Sequence, residues 1–160
     1  MNFTAALPWF ALCVSLGAQM VASGPQGGGE LKLGATPYRF ELTHLTSAPP
    51  AGGLPGALKW EGNLIPRDAS RPFHMILTVL KNGSLYMLKI ERKTSQGYPD
   101  SWAATLKTRT RFLKLEDQPG GRVEIRCEGP LTGIIAKHPE NAIWSGQLWA
   151  IFPVGSPTPD

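Results

Sequence analysis

The sequence predicts an all-β domain of antiparallel strands, either an up-and-down β-barrel or a β-sandwich, with little helix. Short runs of alternating apolar and polar residues recur along residues 36–154, and turns containing Gly or Pro separate them. The clearest two runs lie in residues 73–90 and flank Asn82-Gly83, the dipeptide that best tolerates the positive φ angles of a tight hairpin turn. Strands at this spacing, with almost no helical periodicity, are typical of an antiparallel barrel or sandwich.

Two further strands precede this hairpin. In residues 36–46, apolar side chains occupy positions 38, 40 and 42 and polar ones the positions between them, which predicts a first strand. Residues 47–56 are rich in Pro and Gly, so we expect an exposed loop there. Residues 58–65 predict the strand that leads through the loop at 66–72 into the hairpin.

A second hairpin is predicted from residues 102–115 and 122–127. In its first strand, Leu106 and Phe112 share a parity that Leu113 and Leu115 do not, so we expect a β-bulge near Arg111. A short helix starting after residue 101 is the alternative, because Asp and Ser cap helices. The Thr residues at 105, 108 and 110 favour the strand.

The rest of the chain predicts one short and one long strand. Residues 129–133 and 137–141 contain Gly or Pro and predict turns. Residues 134–136 are then a short strand, and residues 142–154 the long last one.

Both ends of the chain differ in composition from this domain. Residues 1–23 resemble a cleaved signal peptide, because residues 5–21 are uncharged and largely apolar and are followed by small residues. Residues 24–35 predict a flexible Gly-rich leader, residues 36–154 a single β domain, and residues 155–160 a disordered tail. We therefore expect a secreted protein, or a periplasmic one if its source is bacterial, with no transmembrane segment.

The cysteine content limits how this domain is stabilised. Cys13 leaves with the signal peptide, so Cys127 remains alone and no disulfide can form within the domain. Cys127 shares a strand face with Val123 and Ile125, which favours a buried, inert thiol. A disulfide to a second chain is the alternative.

Two Trp-x-Gly sequences bracket the domain, at Trp60 and at Trp144. A Gly two residues after a Trp leaves space across which the indole ring can lie, which is useful where a barrel closes. With the successive hairpins and the Trp-rich last strand, this pattern resembles the calycin group of secreted β-barrels, the lipocalins and avidins. The resemblance implies a barrel that binds small apolar molecules in its mouth.

The large amphipathic side chains are the candidate ligand contacts, because binding pockets are mostly apolar with a few polar groups. Trp144 and Trp149 have opposite parity, so at most one of them lines an interior. An exposed Trp could instead stack on a sugar. The predicted ligand-binding residues are Trp60, Tyr86, Trp102, Trp144 and Trp149.

The charged residues offer an alternative binding surface. The chain has 16 Lys+Arg against 12 Asp+Glu, a net charge of +4 that argues weakly for affinity to acidic surfaces. Lys107, Arg109 and Arg111 share one strand parity and predict a basic ridge, to which Arg122 and Arg126 could be adjacent. Glu124 and Glu128 are predicted to lie on the same side, so an ordinary solvated face with cross-strand ion pairs is the other interpretation.

No catalytic or metal-binding signature is present in the sequence. His44, His74 and His138 are scattered, without a neighbouring Ser, Cys or carboxylate motif, and no CxxC or dense acidic loop occurs. We therefore predict no catalytic residues, no metal, no cofactor and no nucleic-acid partner. Asn82-Gly83-Ser84 matches the N-glycosylation sequon, but the turn alone also requires Asn-Gly.

Together these features predict an exported, non-enzymatic binding protein that holds a small hydrophobic or amphipathic ligand. The alternative is a β-sandwich interaction module that engages a protein or an anionic glycan through an exposed Trp and the basic ridge. The sequence does not indicate the oligomeric state.

Overall fold

A computed structural model describes residues 26–68, 70–95 and 97–154. The predicted signal peptide and the tail at 155–160 lie outside the described residues. Within these ranges the chain forms nine strands and no helix. The strands are β1 Gln26–Leu33, β2 Thr36–Ala48, β3 Ala57–Pro66, β4 Phe73–Leu80, β5 Leu85–Arg92, β6 Asp100–Ala104, β7 Arg109–Leu115, β8 Arg122–Ile135 and β9 His138–Ile151.

The sheet closes into an antiparallel barrel of eight strands, which confirms the predicted fold class in its barrel form. Each strand from β1 to β5 pairs with the next one along the chain, β6 pairs with β8, β8 with β9, and β9 returns to β1. The extra strand, β7, pairs with the same edge of β8 as β6 does, but at other residues. The barrel is compatible with a calycin-like fold.

The strand that closes the barrel lies inside the predicted leader. Residues 26–33 of that Gly-rich segment form β1, which pairs with β2 on one side and with β9 on the other. The prediction of a flexible leader at 24–35 is therefore wrong for these residues. The glycines are required by close backbone approach, since a Cβ on Gly29 would collide with the carbonyl oxygen of Gln147 on β9.

The structure confirms the strands and the turn around Asn82-Gly83. Gly83 has a φ of +90°, and the Leu80 N–H donates to the Ser84 carbonyl oxygen across the turn at 2.9 Å. The strands predicted at 36–46 and 58–65 lie within β2 and β3.

The predicted strand 102–115 is two strands, β6 and β7, separated by a turn at residues 105–108. The register shift lies between Phe112 and Lys114, next to the bulge expected near Arg111.

The turn predicted at 129–133 is wrong, because β8 continues through it. Gly129 and Pro130 lie where the partner of β8 changes, from β7 up to Glu128 to β6 from Leu131 onward. Pro130 has no N–H to donate, and at this point neither β6 nor β7 pairs with it. The chain instead reverses at residues 136–137, so β9 begins at His138 and not at residue 142.

The barrel interior is filled by large apolar side chains. Alternate residues of β3 and β4 face inward and are buried, in the pattern expected of strands with one face in a core. The largest fully buried side chains are Trp60, Trp144, Phe40, Leu31, Leu58, Leu64, Met75, Leu77, Ile90, Ile125, Leu131 and Leu148. No helix long and apolar enough to cross a membrane occurs in the described residues.

Candidate functional site

The barrel wall is open where β5 and β7 lie next to each other. β5 pairs with β4 along most of its length but with β6 only at residues 89–92, so no described strand pairs with the other edge of residues 85–88. β8 is the one described strand that pairs with β7. A cleft of about 960 Å³ lies between these two edges, within the range of volumes typical of ligand pockets.

A hydrogen-bonded turn holds this cleft open. Thr108 is buried, and its Oγ1 donates to the carbonyl oxygen of Pro130 at 2.6 Å and accepts from the N–H of Thr105 at 2.8 Å. These bonds fix the turn at 105–108 against β8. At the far end of the cleft the Oγ1 of Thr110 donates to the carbonyl oxygen of Gly83 at 2.8 Å. The cleft is therefore bounded at both ends by hydrogen bonds. We call it the window; it is lined by residues 81–86, 104–106, 108–112 and 115.

The floor of the window is apolar and joins the barrel core. Its side chains are half-buried and pack against the core cluster; they are Leu85, Ala104, Phe112 and Leu115. The exposed rim adds Tyr86, which is 62% exposed, and Leu106, which is 96% exposed.

The charged residues that line the window are all cationic. They are Lys81, Arg109 and Arg111, and no carboxylate occurs among the described residues lining it. Lys81 forms an ion pair of 2.5 Å with Asp117, which lowers the pKa of that carboxyl group. Arg109 Nη1 donates to the carbonyl oxygens of Leu106 and Thr108 at 2.5 and 3.1 Å. The Arg109 guanidinium is thus positioned by neutral acceptors.

On the outer face of β7 and β8, three arginines lie together. Arg111 is directly opposite Arg126, and Arg109 is opposite Glu128. Like charges in such cross-strand positions repel each other. A depression of about 320 Å³ is lined by Arg109, Arg111 and Arg126 together with Thr110 and Glu128. We call these three arginines the arginine cluster.

The expected cross-strand ion pairs do not neutralise this cluster. Glu124 binds Arg122 on its own strand at 2.6 Å. Within the described part of the chain, neither Glu128 nor any of the three arginines forms an ion pair. Lys107, predicted as part of the ridge, lies in the turn before β7. The ridge therefore contains Arg126 in its place.

The five predicted ligand-binding residues do not form one site. Trp60 and Trp144 are fully buried in the core, and neither indole Nε1 has a hydrogen-bond partner among the described residues. Trp102 is half-buried and packs on Gly133. Trp149 lies on the face opposite to Trp144, as its parity predicts, and lines a separate groove. Of the five, Tyr86 lines the window.

The Trp-x-Gly sequences have a different packing role from the one expected. The space above Gly62 is filled by the ring of Phe40, and that above Gly146 by the side chain of Leu31. Each glycine lets the neighbouring strand's side chain enter the core. Sequence reasoning did not identify the window residues Lys81, Leu85 and Phe112. The sequence shows that Phe112 faces inward, but it does not show which strands lie on either side of it.

Two of the three histidines lie beside Glu61 on the outer face, His44 directly opposite it on β2 and His74 on β4. His74 Nε2 lies 3.3 Å from Glu61 Oε1 on the outer face, and Glu61 also pairs with Lys59 at 3.1 Å. Cys127 is free and fully buried, as its position predicted, and burial raises the pKa of its thiol. No group of three or more His, Cys, Asp or Glu side chains in the described ranges could hold a metal ion.

Asn82 lies at the rim of the window. It is exposed, and its Oδ1 accepts the N–H of Ser84 at 3.0 Å, which stabilises the turn. The side chain of the sequon asparagine is thus accessible and already has a structural role.

The chain was also compared with known proteins. No protein-family model matches it, and no curated protein and no solved structure matches it.

Proposed function

We propose that this chain is an exported, non-enzymatic binding module, and that its window holds a small amphipathic ligand with an acidic group. The observation that carries this proposal is the combination of an apolar floor with a rim whose charged residues are all cationic. The proposal keeps the ligand class predicted from the sequence and the calycin-like barrel architecture. It moves the site from the barrel interior, which Trp60 and Trp144 fill, to the wall.

The two ends of such a ligand are stabilised in different ways. Each methylene group buried on the floor contributes about 0.8 kcal/mol. A carboxylate that accepts hydrogen bonds from an arginine at the rim adds about 1.5–3 kcal/mol. Arg111 is the better candidate for this role, because Arg109 already donates to two carbonyl oxygens.

Calorimetric titration with dodecanoate and with dodecanol, its uncharged counterpart, tests the proposal. We expect dodecanoate to bind more tightly, and Arg111→Gln to weaken its binding about tenfold or more. Tryptophan fluorescence is a poor reporter here, because none of the tryptophans in the described ranges lines the window.

Lys32→Gln is the matched control, since Lys32 is exposed on β1, which is separated from β5 by three strands of the barrel. It removes the same charge and should leave binding unchanged. Equal affinity for dodecanol and dodecanoate, or an Arg111→Gln variant that binds like the wild type, would contradict the proposal.

A second candidate function follows from the arginine cluster. Its unneutralised cross-strand pair, Arg111 and Arg126, favours an interaction module that binds an anionic glycan on the outer face. Arg126 separates the two candidates, because it lines the outer depression and not the window. Loss of heparin binding in Arg126→Gln, with dodecanoate binding unchanged, would assign the cluster its own anionic partner.

A further inference from the structure

A second groove, of about 810 Å³, crosses the outer face of β2, β1 and β9. It shares no lining residue with the window. Its centre is formed by polar side chains that the strand register places in one row. Glu30 on β1 is directly opposite Arg39 on β2 and opposite Gln147 on β9. Carboxylate, guanidinium and amide groups are planar and can each form two hydrogen bonds to neighbouring polar atoms.

An aromatic ring lies beside this row. Trp149 is opposite Gly28, so no side chain on β1 occupies the position across from it. The guanidinium carbon of Arg122 lies 5.0 Å from the centre of the Trp149 ring. This cation–π contact restricts the orientation of the indole. The groove thus combines a positioned aromatic ring with a row of planar polar groups.

The charges in the groove are largely paired, in contrast to the arginine cluster. Arg39 forms an ion pair of 2.6 Å with Glu41, and Arg67 lies 3.9 Å from Glu30. Both lining arginines therefore have a carboxylate within ion-pair distance. Lys32 also lines the groove and forms no ion pair within the described residues, so one unpaired cation remains here, against three in the arginine cluster. Such a surface offers many hydrogen bonds and only a weak attraction for an anion.

We propose that this groove binds a neutral oligosaccharide, with one sugar ring packed on Trp149 and its hydroxyl groups bound by Glu30, Arg39 and Gln147. A sugar ring has a face of C–H groups that packs against an aromatic ring, and hydroxyl groups along its edge that both donate and accept hydrogen bonds. The row supplies matching acceptors from Glu30, donors from Arg39, and both from Gln147. A purely apolar ligand would leave these groups unpaired, which costs binding free energy.

Calorimetric titration with cellotetraose, chitotetraose and maltotetraose tests this site. We expect at least one of these neutral tetrasaccharides to bind and to change the tryptophan fluorescence. Trp149→Ala should weaken that binding at least about fivefold, and Gln147→Ala should also weaken it. Tyr98→Ala is the matched control, because Tyr98 is an exposed aromatic residue that lines neither the groove nor the window, and it should bind the sugar like the wild type.

Several results would overturn the assignment. These are the absence of binding for all three sugars, binding that survives both Trp149→Ala and Gln147→Ala, and tighter binding of a heparin tetrasaccharide than of any neutral one. Unchanged thermal unfolding of both variants separates loss of the site from loss of the fold. Dodecanoate binding by Trp149→Ala tests the window separately, so failure of either site leaves the other testable.

Discussion

At the scale of single residues, burial determines the chemistry of Cys127. Its side chain is fully buried on the same inward face of β8 as Val123 and Ile125, and burial raises the pKa of the thiol. The thiolate is the reactive form, so the native protein should resist alkylation. This position also excludes a disulfide to a second chain in the folded state.

We predict that iodoacetamide labels Cys127 in the native protein at least about a thousandfold more slowly than in guanidinium chloride, because labelling requires opening of the core. Mass spectrometry of the peptide that contains Cys127 measures this rate. A cysteine introduced by Glu128→Cys, on the outward face of the same strand, is the control and should label rapidly. Fast native labelling of Cys127 would show that β8 opens without global unfolding.

At the scale of elements, the turn between β8 and β9 is strained. Ala136 and Lys137 have φ angles of +49° and +70°, in the left-handed region that costs residues with a Cβ about 1–2 kcal/mol each. A two-residue hairpin turn of this type favours Asn-Gly. The turn is held by Asp100, whose Oδ1 accepts the N–H of Ala136 at 2.8 Å.

Asp100 connects three elements through one buried carboxylate. Its Oδ2 accepts from Arg92 Nη2 at 2.7 Å, so β5, β6 and the turn meet there. Burial raises the pKa of Asp100, but the hydrogen bond from Ala136 and the Arg92 guanidinium together outweigh it, so the pKa lies below its usual value. Because this carboxylate remains ionised, it can compensate for the strained backbone.

Lys137→Gly should relieve part of the strain and stabilise the protein by about 0.5–1 kcal/mol, because Gly adopts a positive φ without steric cost. The contact of Lys137 with the Tyr98 ring, at 5.9 Å, is lost and offsets part of this gain. Thermal unfolding should show a melting temperature higher by about 2–4 °C. Lys32→Gly, in the extended β1, is the control and should lower it. A lower melting temperature for Lys137→Gly would show that the turn is not strained.

Local sequence signals predict some of these elements well and others poorly. The β4–β5 hairpin is encoded by a tight turn and two alternating runs, so it could be predicted from adjacent residues alone. β1 could not, because its glycines are explained by the close approach of β2 and of β9, and β9 is more than a hundred residues away. Pro130 in β8 could not be predicted from adjacent residues either. It is tolerated because β8 changes its partner strand there, and no local pattern shows that change.

The candidate site was harder to predict than the fold, for the same reason. The window depends on where β6 ends, where β7 begins and which edge of β8 each uses. Parity shows that Trp144 and Trp149 face opposite sides, but it does not show that Trp149 lies opposite Gly28. Parity places Arg126 on the same side as the basic ridge, but only the pairing of β7 with β8 shows that it lies opposite Arg111.

At the scale of the whole molecule, the barrel is closed by its first and last described strands. Gln26 pairs with Ile151 at one end of the β1–β9 ladder, and Leu33 with Trp144 at the other. The ends of the described chain therefore lie close together, since paired residues in neighbouring strands are about 5 Å apart. All eight barrel strands enclose one core, so we expect a single cooperative unfolding transition.

A circular permutant tests this closure. A short Gly/Ser linker would join residue 154 to Gln26, and the new ends would lie between Gly52 and Gly53, in a loop where both glycines are exposed and have positive φ angles. Only the isolated bridge between Ala51 and Leu54 spans this cut, and no pairing between barrel strands is lost. The permutant should therefore unfold in one transition, be destabilised by no more than about 2 kcal/mol, and still bind dodecanoate. Circular dichroism during thermal unfolding measures the transition.

A second permutant opened between Gly129 and Pro130 is the control, since it divides β8 where its partner changes and should lose both the cooperative transition and the window. If the first permutant fails to fold, the ends of the described chain are not close enough for the β1–β9 ladder to close the barrel.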